Sequence, residues 1–276
     1  MNFITISQAK KDTGLSYLGN VNHSAKLIKN SKVNGQLTYG LYLAPYTISG
    51  HNTCPNSTPE CRIGCLFTSG RSAIETFSGI SKIKDARIAK TKLFYENNEF
   101  FMSWLIAEIK QKREKAKREN LGFSVRLNAT SDIDWHKTYF KGYNIFEIFP
   151  DVQFYDYTKN PVKFMYKADN YHLTLSYTGR NWDMCEKILS KGHNVAMVFN
   201  VKKESEIPAT YKGYDVINGD ITDYRVADAK GIIVGLKWKR IANRDDERKV
   251  LNSVFVVTPA NTNSNVQLNE LELATV

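Results

Sequence analysis

The chain has 276 residues, 42% of them hydrophobic, with 38 Lys and Arg against 28 Asp and Glu for a formal charge of +10. That length and apolar content suffice for a proper core, so neither disulfides nor a metal is needed merely to fold. Lysines appear by Lys10 without the apolar run of a signal peptide, and no later run is long enough to span a bilayer, so a soluble cytosolic protein without a membrane partner is expected.

Residues 1–34 are polar and broken by glycines, and read as an N-terminal arm on a main domain of residues 35–257. Gly35 to Pro45, rich in β-branched and aromatic residues, predicts a strand, and the loop "HNTCPNSTPECRIGCLFTSGR" (His51 to Arg71) follows it. A long helix is predicted from about Ile83 to Glu119, where Phe94, Phe101, Leu105 and Ile109 share a face. Its basic end, "KQKREKAKRE", holds much of the positive excess. There it suits the helix dipole and solvates an outer face, or meets an anionic partner such as nucleic acid or a nucleotide.

Further strands are predicted at Phe123 to Asp132, Val152 to Thr158, His172 to Gly179, Asn194 to Val201, Tyr214 to Asp220 and Gly231 to Trp238. A short helix is expected around Ile145 to Phe149, and another over Asn181 to Gly192, opened by a capping residue and closed by glycine. Residues 258–276 form a tail, Asn/Thr-rich at first and ending with Leu268, Leu271 and Leu273.

Seven strands separated by crossover-length segments argue for a parallel α/β architecture. A (β/α) barrel or partial barrel is the first expectation and an open doubly wound sheet the second. In either, the ligand sits at the carboxyl ends of the strands. The cysteine loop lies on that rim, and so do Asn128, Ser176, Arg180, Asp220 and Lys237, the candidate ligand-binding residues.

Three of the four cysteines lie within twelve residues, as Cys54-x6-Cys61-x3-Cys65. In a reducing cytosol such a cluster reads as a metal or redox site rather than a disulfide framework. There is no second CxxC or HxxxH, so a zinc site would need His51. A [4Fe-4S] cluster instead takes three thiolates from one short loop and leaves a fourth iron for another ligand. Reduced cysteines that merely pack are the bland alternative, though prolines and Gly64 mark a surface loop. Cys185 falls on the apolar face of its helix beside Trp182, Ile188 and Leu189 and reads as a small core residue, yet it starts near the rim and remains a candidate fourth ligand. An open fourth iron would admit S-adenosylmethionine and radical chemistry, whereas a protein ligand there would limit the cluster to electron transfer or bracing.

The cysteine block, "KDARIAKTKLFYENNEFFMSWLIAEI" and "VINGDITDYRVADAKGIIVGLKWK" together resemble the bacteriophage family carrying the gene product 88 domain, over roughly Thr38 to Lys239. The matching positions are Cys54, Cys61, Cys65, Arg71, Asp220, Asp223 and Arg225. The resemblance implies a phage protein acting in the host bacterial cytoplasm. A cysteine triplet after the first strand of a barrel also looks like the radical S-adenosylmethionine enzymes. Here the spacing is x6 and x3 rather than x3 and x2, and "NATSD" stands where a glycine-rich segment follows the second strand.

Other constellations are weaker. "NGDITDYR" offers Asp220, Asp223 and Arg225 for a metal or substrate, or as ion pairs fixing a turn. "SDIDWH" places Asp132, Asp134 and His136 close enough for a hydrolytic metal site only if the segment is extended, and otherwise is a solvated loop. "FYDYTKNPVKFMYK" alternates aromatics with lysines, as a base-stacking surface does, but strand burial accounts for most of it. No GxSxG, P-loop or strand-linked GxGxxG is present. The expected function is a phage iron–sulfur protein, radical-enzyme-like and acting on a small or nucleotide-like substrate. The alternative is a non-enzymatic protein whose cluster or zinc braces a nucleic-acid- or protein-binding surface.

Overall fold

Alternation along the strands sorts their side chains onto two faces, and the two faces differ in chemistry. The structure, a computed structural model, describes residues 4–21, 24–65, 67 and 81–259. Arg71 and the leucines of the tail lie outside them.

In chain order the elements are α1 (Ile6–Thr13), β1 (Gly19–Val21), α2 (Ala25–Asn34), β2 (Gln36–Leu41), α3 (Pro59–Ile63), α4 (Lys82–Glu96), α5 (Asn98–Arg118), β3 (Gly122–Arg126), β4 (Tyr139–Phe140) and β5 (Tyr143–Asn144). They continue with α6 (Ile145–Ile148), β6 (Gln153–Thr158), β7 (Tyr171–Ser176), α7 (Trp182–Ser190), β8 (Asn194–Phe199), β9 (Thr210–Tyr211), β10 (Tyr214–Asn218), β11 (Ile233–Lys237), α8 (Arg244–Leu251) and β12 (Val256–Val257). All seven predicted strands are present. The predicted long helix is two: Asn97 leaves helical geometry (φ −144°) and its side chain accepts from Phe100 N, capping α5.

The seven strands pair in parallel in the order β2-β3-β6-β7-β8-β11-β10. The last two are exchanged relative to the chain. Antiparallel β1 covers β2 and antiparallel β9 covers β10, so the hydrogen-bonded path is open and the expected barrel is not closed. Both edges that would have joined carry another strand. Beyond the end of β7, β12 takes its place beside Val198 and Phe199 of β8.

The sheet is nonetheless strongly curled. If flat it would hold β3 and β10 about 24 Å apart, yet Arg126 at the end of β3 donates to Asp223, in the loop after β10, at 2.7 Å. The convex face is apolar. Leu37, Tyr39, Leu41, Val125 and Phe154 pack with Phe101, Trp104 and Leu105 of α5, while Leu175, Val195, Met197, Phe199 and Ile233 pack with Cys185, Ile188 and Leu189 of α7. A third cluster joins Trp238, Ile241, Val250, Phe255 and Val256.

The concave face is polar, and α2 of the N-terminal segment lies against it. Asn30 donates to Thr38 Oγ1 (3.0 Å) and Tyr155 Oη (3.1 Å) and accepts from the backbone N–H groups of Asp223 (2.7 Å) and Tyr224 (3.1 Å). One buried amide therefore ties β2, β6 and the loop after β10 together. Lys26 adds an ion pair to Asp220 at 2.8 Å. The residues read as an arm or cap packed on the domain supply an edge strand and part of the concave face. Among the described residues no helix is long and apolar enough to cross a membrane.

Candidate functional site

The cysteine loop is held at both ends. On the side of β2, Thr53 Oγ1 donates to Ala44 O (2.8 Å) and Thr53 O accepts from Asp132 N (2.8 Å). Thr58 caps α3 by accepting from Cys61 N, with Pro59 in the first turn, where its missing N–H costs nothing. On the far side, Cys61 and Ile63 pack on the Trp238 cluster. A Cβ at Gly64 would stand 2.8 Å from the Trp238 ring, so the close approach of loop and ring requires glycine. Arg62 lies over the Tyr46 ring at 3.9 Å.

Under the loop is a cavity of about 310 Å³ lined by Cys54, Cys61 and Cys65 and by residues from the carboxyl ends of β3, β6, β7, β8 and β11. Four of the five predicted rim residues line it: Asn128, Ser176, Asp220 and Lys237. Arg180 does not; its side chain is 71% exposed and pairs with Glu60 at 3.5 Å. Cys185 is fully buried in the α7 core, outside the lining, and burial pushes its thiol up to about 12. His51 stacks on Tyr95 (4.5 Å between centroids) beside Glu96 and likewise stays out of the lining.

None of the four cysteines is in a disulfide. Burial raises the thiol pKa of Cys54 and takes that of Cys65 to about 11, so the bare chain holds them protonated. Lys159 comes close enough to hydrogen-bond Cys61. Burial opposes its charge, but Cys61 and Asp132 outweigh that and raise its pKa. Among the described residues no three His, Cys, Asp or Glu side chains are arranged to share one metal ion.

Asp132 organises the wall opposite the loop. Besides its N–H to Thr53, its carboxylate accepts from Thr158 Oγ1 (2.7 Å), Lys159 N (2.9 Å) and Lys163 Nζ (2.6 Å). Asp134 meets Lys137 and Lys163, and His136 stacks on Tyr166, so "SDIDWH" is a structural ion-pair segment. "NGDITDYR" is likewise spent on ion pairs: Asp220 with Lys26, Asp223 with Arg126, Arg225 with Asp228. Within "FYDYTKNPVKFMYK", Phe154, Tyr155 and Lys163 are buried. The basic end of α5 is laced by Lys117–Glu114 and Lys115–Glu119 pairs.

Sequence reasoning missed Lys26, Arg126 and Tyr157, all of which line the cavity. Arg126 carried a signal, since it alternates with Ser124 and Asn128 against apolar Val125 and Leu127. Lys26 carried none, because only the placement of α2 on the concave face brings it in.

Behind Asn128 lies Asp156, which accepts from Asn128 N (2.7 Å) and Tyr171 Oη (3.3 Å). Burial lifts its carboxyl from 3.8 to about 7, against the pull of the Asn128 N–H. A carboxyl raised on folding stabilises below its unfolded value and loses that contribution as pH rises through the folded value. Asp156→Asn is therefore expected to flatten the fall in melting temperature between about pH 4 and pH 7. Melting curves across that range check it, and an unchanged slope contradicts it.

A mostly parallel α/β sheet that presents three cysteines of one loop over a cavity at its strand ends defines the class of protein. The chain belongs to the gene product 88 family, a bacteriophage family whose model matches residues 10–253. No curated protein and no solved structure matches the chain.

Proposed function

We propose that this phage protein holds a [4Fe-4S] cluster on Cys54, Cys61 and Cys65, at the mouth of a radical-enzyme-like partial barrel, and acts on a small ligand beside it in the host cytoplasm. The observation that carries this reading is that all three sulfurs of one short loop line a single cavity together with the predicted rim residues. An all-thiolate donor set suits iron–sulfur or zinc. A zinc site would need His51 as its fourth ligand, and His51 stacks on Tyr95 outside the lining.

Among the described residues the lining holds no fourth cysteine and no histidine, which supports an outside ligand on the fourth iron. With S-adenosylmethionine on that iron, such a cluster supplies an electron for radical chemistry. Lys159 would offset the negative charge of the thiolates, Asp132 ties the loop to the β6 end, and the carboxyl ends of five strands line the space below. The seating of α3 on Trp238 and α8 favours a second reading, in which the cluster only braces the two sides of the mouth.

Anaerobic purification followed by iron, acid-labile sulfide and zinc analysis tests the first step. About four irons per chain are expected with matching sulfide. One zinc and no iron would sink the cluster. Cleavage of S-adenosylmethionine by the reduced, iron-loaded chain is expected for the enzyme, and its absence leaves the bracing role.

A further inference from the structure

Below the cysteines, two donors on neighbouring strands of the concave face have unmet hydrogen-bonding capacity. Tyr157 Oη is buried, belongs to a cavity-lining residue and makes no hydrogen bond among the described residues. Arg126 gives Nη1 to Asp223, while its Nε is buried without a partner among the described residues. The guanidinium carbon lies 4.8 Å from the centre of the Tyr157 ring, so the two donors share one small region. A buried donor left unmet is unfavourable, which makes this floor a place for an acceptor. Burial, with Asp223 nearby, raises the pKa of the Tyr157 phenol and keeps it a donor.

The surrounding charge selects the acceptor. Among the described residues the lining carries Lys26, Arg62, Arg126, Lys159, Lys237 and Lys239 against Asp132 and Asp220. A cationic excess of four exceeds the charge of one carboxylate and suits a phosphate monoester, which carries about −1.5 to −2 near neutral pH. The other wall is apolar, formed by Ile48, Val198, Leu236, Phe255 and the Trp238 ring. The volume lies at the small end of small-molecule sites, about 300–1,000 Å³.

We infer that the cavity binds a phosphate monoester with a flat apolar body, of the nucleoside monophosphate class, its phosphate oxygens accepting from Tyr157 Oη and Arg126 Nε and its body lying against Trp238 and Leu236. This deepens the proposed function and rests on its reading of the cavity as the ligand site, but it does not need the cluster.

Tyr157→Phe is the decisive variant, because it removes only an oxygen that no protein group uses. Calorimetric titration of the full chain with adenosine monophosphate, adenosine and inorganic phosphate, with iron measured on the same samples, tests the inference. Adenosine monophosphate is expected to bind at least tenfold more tightly than either fragment. In Tyr157→Phe its affinity should fall about tenfold, as for one hydrogen bond to a charged oxygen, with iron content and melting temperature unchanged. Equal affinity in wild type and variant, no binding by iron-loaded protein, or a lowered melting temperature in the variant overturns the inference. Binding by protein that never acquires iron supports it and sinks the cluster instead.

Discussion

Cys61→Ala is expected to bring iron to background and abolish the visible charge-transfer absorbance, while far-ultraviolet circular dichroism stays that of the wild type. Cys61 lies on α3, where alanine is a good helix former, and Thr58 caps the helix through the Cys61 backbone, which the substitution keeps. Lys159 loses a hydrogen-bonding partner but keeps Asp132 nearby. Cys185→Ala is the control. Its sulfur sits in the α7 core among Leu175, Val195 and Met197, so the change should cost about 1–3 kcal/mol as a small cavity and leave iron at the wild-type level. Full iron in Cys61→Ala, or iron lost with Cys185, would defeat the assignment of ligands.

Asp132→Asn is expected to lower the melting temperature by about 6 to 12 °C. Lys163 is 1% exposed and its ammonium meets Asp132 at 2.6 Å and Ile133 O at 2.8 Å. Removing one partner of a buried pair strands the other charge at about 3–5 kcal/mol, and Asp134, at 3.4 Å, keeps the cost near the lower figure. Roughly 2–4 °C per kcal/mol for a chain somewhat smaller than this one gives the range. Substituting Lys163→Met in the same background should recover most of the loss, since it removes the buried ammonium that Asp132→Asn leaves without its carboxylate. An unchanged midpoint in Asp132→Asn would show that the pair contributes nothing.

Legibility from sequence followed the range of the interactions. Each strand of the parallel sheet announces itself locally, as Val125 and Leu127 do by alternating with Ser124 and Arg126, and all seven were readable. The break at Asn97 was also written locally, as a capping residue, but continuous apolar spacing through Phe94 and Phe101 hid it. What could not be read depended on distant partners. The exchange of β10 and β11 and the strands covering both edges are choices of neighbour that no local pattern encodes. The same holds for the site. The loop position and four rim residues follow from strand ends, whereas Lys26 depends on the docking of α2, and Arg180 leaves the rim because Glu60 holds it outside. Lys163 looks like a loop lysine until Asp132 arrives from the loop after β3.

The seating of α3 on Trp238 and the segment around Phe255 sets an order of events during synthesis. Cys54, Cys61 and Cys65 are polymerised in the first quarter of translation, but the surface that supports Cys61 is among the last parts of the domain to be made. At about 5–20 residues per second the early thiols wait on the order of ten seconds or more. During that interval the loop lacks the surface it finally packs on, which is complete only on a nearly finished polypeptide.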